Sequence, residues 1–268
     1  MKKLILAALL LTAAACHDQR EEDFRRWIDF MNRTDSAYHR FHDITYNQAK
    51  YLMRDLVAND SLRGIATRSA ISWYISKDTA LAILKRNNEL FSGMIFYLCY
   101  AENSNQEDSV FLAFKGLKEY DITNNSTDYL KTDDTLYLAA QPMVFSESAD
   151  MTGVEHFMSG SGEAVSGRHE LLKGDDIIRL STRFVSRMRD PSSSQYNQKN
   201  FGFISKAELY SMADDKACFG LRVMLGYDGS EKINRIRIMV VPVDASGKLI
   251  IHHSGPIEWI DCIDRDWP

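Results

Sequence analysis

Two Ser-Lys pairs carry the first chemistry the chain could offer. Tyr74-Ile75-Ser76-Lys77 recurs as Phe203-Ile204-Ser205-Lys206, and a serine beside a lysine is one form of activated nucleophile. A serine that opens a helix has a commoner use: its side-chain oxygen accepts a backbone N–H that the first turn leaves unpaired. Ser205-Lys206-Ala207-Glu208 even supplies the acid three residues on that completes a capping box. Both serines are therefore assigned to caps. Gly160-Ser161-Gly162 lacks the spacing of a nucleophile elbow and does not lie between a strand and a helix, so no catalytic residue is assigned.

Metal chemistry is no better supplied. His39 and His42, followed by Asp43, would share one helix face, but no glutamate completes an H-E-x-x-H arrangement. His252 and His253, adjacent on a strand, would point to opposite faces. Asp261, Asp264 and Asp266 offer closely spaced oxygens without the glycine or terminal glutamate of a calcium loop. Solvated histidines and a solvated acidic tail are the expectation, with no metal and no cofactor. Beyond Cys16 the thiols are Cys99, Cys218 and Cys262. All three read as packing residues, with Cys218–Cys262 the bridge that an oxidising compartment would permit. Trp73, Tyr74, Tyr97 and Tyr100 would make a stacking platform for a sugar or peptide on an open sheet, and core on a covered one.

The elements that must hold these residues occur twice. Ser76 and Ser205 lie 129 residues apart, and Ala80, Ile83 and Leu84 match Leu209, Met212 and Ala213 at the same offset. Gly93-Met94 with Phe96, Leu98 and Tyr100 matches Gly220-Leu221 with Val223, Leu225 and Tyr227 at 127. A self-similar order of this length is the mark of an internal repeat. Each unit reads helix, strand, helix, strand, strand. Ile44 to Ala58 and Leu172 to Ser186 are the leading helical stretches, and Thr45 with Gln48 forms a capping box. A strand–helix–strand crossover favours parallel pairing, whereas the hairpin after it must be antiparallel. The fold class expected is α+β, with mixed sheets in two similar units and an N-terminal helix ahead of them (Phe24, Trp27, Ile28, Met31). The units span 44–145 and 171–268, joined by a small-residue link within 146–170 that includes SGSGEAVSG from Ser159 to Gly167.

Met1-Lys2-Lys3, an apolar run of 12 residues from Leu4 to Ala15, and small residues before Cys16 describe a secretory signal over 1–15. The run falls short of the ~20 residues that span a bilayer. These residues resemble the lipobox of bacterial lipoproteins, with Ala13 where a larger apolar residue is usual; the resemblance implies lipid attachment at Cys16. The competing reading is a plain secretory signal with an incidental cysteine. Segment 16–43 would then be anchor, tether and N-terminal helix, and its acids Glu21, Glu22 and Asp23 resemble the surface-export signal of lipoproteins in Bacteroides-like bacteria. The duplicated body is similar to duplicated lipoproteins of such bacteria, a resemblance that brings no catalytic residue with it.

Without the signal's two lysines the chain has 30 basic and 37 acidic residues. That balance, with no basic block, excludes nucleic acid as the expected partner. The reading is a cell-envelope lipoprotein held at the outer membrane, on its periplasmic face or at the surface. Its expected role is non-enzymatic binding of a small molecule or protein. The alternative is a secreted hydrolase with a carboxylate or histidine in the cleft between the repeats.

Overall fold

Long strands apolar on both faces dominate the chain, and such runs must be covered on both sides. β2 (Ala70–Ser76) is buried at every position but its last, and β9 (Gly220–Asp228) at every position but its last two. The computed structural model describes residues 42–59, 62, 66–85, 91–102, 108–118, 130–160, 169–188, 201–229, 235–251 and 259–263. Its helices are α1 (Tyr46–Ala58), α2 (Lys77–Lys85), α3 (Met151–Met158), α4 (Gly174–Met188) and α5 (Lys206–Asp214). The fold is α+β.

Two sheets hold the strands. The first runs in the order β1 (His42–Thr45), β11 (Trp259–Ile263), β10 (Arg235–Val243), β9, β2 and β6 (Ala140–Val144). The second runs β7 (Leu171–Lys173), β5 (Thr135–Leu138), β4 (Asp108–Lys118), β3 (Phe91–Glu102) and β8 (Phe201–Ser205). Every pairing is antiparallel. The mixed sheets expected from the strand–helix–strand order are therefore absent among the described residues. The parallel rule applies when both strands enter one sheet, but α2 carries the chain from β2 in the first sheet to β3 in the second. The edges of β2 are taken by β9 and β6, and β8 pairs with β3.

The registers of these two exchanges correspond. Ser76 faces Gly220 and Ile75 faces Leu221; likewise Ser205 faces Gly93 and Ile204 faces Met94. Both glycines are required by closeness. A Cβ on Gly220 would lie 2.6 Å from the carbonyl oxygen of Ile75, and one on Gly93 would be nearer still to that of Ile204. The outer strands follow suit: Ile44 faces Ile260, and Leu172 faces Leu136.

One hydrophobic core joins the sheets, with Trp73, Leu221 and Val223 of the first and Met94, Phe96 and Leu112 of the second. α2 and α5 touch each other and strands of both sheets, α1 packs on β9, and α4 packs on β3. The capping box at Thr45 is present, and α1 buries Ala49, Met53, Leu56 and Val57. Residues His42–Asp264 cluster as one unit. Within the expected link 146–170 lies α3, which buries Gly153, Val154, Phe157 and Met158 and sets Phe157 5.3 Å from the Phe145 ring. Trp73, Tyr74, Tyr97 and Tyr100 are all buried, so these aromatics are core and not an open platform.

Candidate functional site

The densest meeting of chemically capable side chains lies where β2 ends and α2 begins. Ser76 Oγ accepts the Thr79 backbone N–H at 3.2 Å and donates to Thr79 Oγ1 at 2.7 Å. That is the cap expected of this serine. The backbone N–H of Ser76, free of the helix, donates to His169 Nε2 at 3.2 Å. His169 Nδ1 sits 2.9 Å from the Leu138 carbonyl oxygen. A carbonyl only accepts, so Nδ1 carries the proton and Nε2 the lone pair, and the ring is neutral. Its edge meets Phe114 at 5.3 Å and 90°, and Phe114 stacks on Tyr137 at 5.6 Å. Burial holds the imidazole pKa below its ordinary value, only partly offset by the Leu138 carbonyl.

Beside this pair, Lys77 donates its backbone N–H to Phe219 O at 3.0 Å and its ammonium to Asp215 O at 3.3 Å. The Cys218 thiol is buried and free, bonds to Gly220 O at 3.4 Å, and is pushed up in pKa by burial against the opposing pull of Lys77. No Cys218–Cys262 bridge forms. Phe219, next in the chain, is 56% exposed. For catalysis Ser76 would need a lysine or an imidazole free to take its proton. Its hydroxyl is directed at Thr79 instead, and both nitrogens of His169 are occupied by backbone groups.

A second centre lies across the β2–β9 pairing. Arg222 is fully buried and faces Tyr74 across the β2–β9 pairing. Its Nε donates to Ser72 Oγ at 2.8 Å, Nη1 to Met158 O at 3.1 Å and Nη2 to Phe157 O at 2.9 Å, with the Phe157 ring 5.1 Å from Cζ. The acceptors are the last carbonyls of α3, where the helix dipole is negative; Phe157 O also accepts the Gly160 N–H, at 3.4 Å. Burial lowers the guanidinium to about 10, partly opposed by Tyr74 and Tyr46; it stays charged at any ordinary pH. Burial raises the Tyr74 phenol to about 12. Its hydroxyl has no hydrogen-bond partner among the described residues. Arg222 therefore fastens α3 to the first sheet.

Other sequence candidates fall elsewhere. His42 and Asp43 lie in strand β1, so the helix face proposed for His39 and His42 does not form. Asp261 belongs to strand β11, opposite Asp43. Cys262 faces His42 and Met239 in the same strand. Ser205 closes β8 directly before α5. Cys16, the helix expected from Phe24 to Met31, His39, Ser161, His252, His253, Asp264 and Asp266 lie outside the described residues. Among the described residues no three metal-ligating side chains gather, and no helix is long and apolar enough to cross a membrane. Sequence reasoning passed over His169 and Arg222. A lone arginine inside the apolar run Leu221 to Leu225 was a legible sign of a buried, bonded charge; a single histidine after a small-residue stretch gave no such sign. No family model, curated protein or solved structure matches this chain.

Proposed function

We propose that the chain is an exported lipoprotein, attached through Cys16 to the outer membrane at its periplasmic face or at the surface. Its body is a non-enzymatic module that binds a small molecule or a protein partner. That body is a tandem duplication, 44–145 and 171–268, whose copies trade their first long strands. The exchanged registers, Ser76 with Gly220 and Ser205 with Gly93, support the duplication.

The observation that carries the non-enzymatic reading is the commitment of Ser76 and His169, hydroxyl and both ring nitrogens alike, to internal bonds. A hydrolase reading needs an acid or base at the junction of the halves. Among the described residues the buried charge at that junction is Arg222, and the histidine there, His169, has both ring nitrogens taken by backbone groups.

The test is metabolic labelling with a fatty-acid analogue, comparing the chain with its Cys16→Ser variant. Label on the parent alone, lost in the variant, supports the anchor; equal labelling of both overturns it. A serine-reactive fluorophosphonate should leave the protein unmarked. Marking that disappears in Ser76→Ala or Ser205→Ala while folding is retained would replace the binding module with the hydrolase.

A further inference from the structure

His169 joins the two sheets through hydrogen bonds that only a neutral ring can make. Its acceptor nitrogen takes the N–H of Ser76, the last residue of β2 in the first sheet. Its donor nitrogen gives to the carbonyl of Leu138, the last residue of β5 in the second. Neutral imidazole has one donor and one acceptor, so this pair of contacts uses the whole inventory. A second proton can add only to the Nε2 lone pair, which is the atom facing Ser76. Donor would then face donor, and the bond to Ser76 must break.

The surroundings give the imidazolium no compensation. The ring stands at the start of α2, where the helix dipole is positive and repels a cation. The charged groups on the elements packed around it are Lys77 and Asp78 on α2, Lys115 on β4, which is ion-paired to Asp134 ahead of β5, and Glu170 next in the chain. None of them contributes to the lowered pKa of the ring, which comes from burial. From β4 and β5 the groups at hand are Phe114, edge to face with the ring, and Leu138.

We propose that His169 is an acid-released clamp: neutral, it ties the end of β2 to the end of β5, and one proton from solvent frees the start of α2 from that tie. The sign follows from linkage. The folded pKa lies below the unfolded value of about 6.5, so the unfolded chain binds more protons in between. The clamp's contribution to stability is complete above that unfolded value. It is lost as pH falls from there through the folded pKa.

The experiment follows the His169 ring and the Ser76 amide by NMR in the full chain between pH 8 and pH 5, beside the H169Q variant. Glutamine offers one acceptor and one donor at similar reach but does not titrate. The expected result is a ring midpoint below that of a free histidine, with the Ser76 amide moving at the same midpoint and the movement absent in H169Q. The urea midpoint of the parent should fall against that of H169Q as pH drops below about 6.5, with the slope m unchanged. A ring midpoint at or above the free value, or a Ser76 amide indifferent to the ring, overturns the proposal. So does the same pH dependence in parent and variant. If H169Q does not fold, the two titrations in the parent decide alone.

Discussion

Alanine at either exchange glycine tests the strand topology directly, because the atoms it strikes belong to the opposite half of the chain. On Gly220 the new methyl would stand 2.6 Å from Ile75 O, against the 3.4 Å at which ordinary Cβ contact begins. Neither partner is a flexible side-chain tip, so a strand must move by most of an ångström. Overpacking of this kind costs about 1–3 kcal/mol, and the stiffer unfolded chain returns about 0.4–1 kcal/mol. The net loss for Gly220→Ala is therefore roughly 1–2 kcal/mol. Gly93→Ala should cost more, about 3 kcal/mol, because the methyl lies nearer to Ile204 O and also meets the Phe203 ring at 2.8 and 2.9 Å. Urea unfolding of both variants measures this, and a fall in midpoint with an unchanged m marks a change in native stability. Both should act on a single transition, since one core serves both sheets. If β3 instead paired with β2 in parallel within its own half, neither methyl would meet these carbonyls. Two variants as stable as the parent to within about 0.5 kcal/mol would refute the exchanged pairing.

Arg222→Met should destabilise by about 3 kcal/mol, because Met158 O and Ser72 lose this donor in the interior and Phe157 O loses the shorter of its two. Arg222→Lys should not rescue it, since one ammonium cannot reproduce the planar fork; a lysine variant as stable as the parent in urea would undo the assignment. A protease site placed between Gly162 and Val165 and cut after folding should leave the two halves co-eluting in native buffer and parting only in denaturant. Fragments that separate without denaturant would contradict sheets built from both halves.

What the sequence disclosed was local. The Thr45–Gln48 box and the Ser76 cap each need only residues a single turn apart, and both form as read. Partner choice was illegible for a physical reason: β2 and β9 are apolar on both faces, so their pattern does not name a neighbour or a direction. The α2 crossover serves a return to the same sheet or a passage to the other equally well. β1, β5 and β7, of three or four residues, are too short for a period to show. α3 escaped notice because its Val154, Phe157 and Met158 stand directly before a run of serine and glycine that reads as a link.

The body departs from symmetry at particular places. Within the proposed duplication, the positions that match across the halves are caps, close-approach glycines and apolar strand residues, all of which the junctions consume. Arg222 faces Tyr74 where Ile95 faces Phe203 in the other exchange. β6 adds a sixth strand to the first sheet beyond β2, and the second sheet shows none beyond β8 among the described residues. α3 leans on Arg222, and His169 takes hold of Ser76 at the end of the same β2. Positions matched in the proposed duplication serve the junctions, whereas Arg222 and His169 add ties that one half alone carries. The asymmetric features all attach to one buried strand, so the exposed Phe219 beside Lys77 at its end is where the partner of the proposed binding module should be sought first.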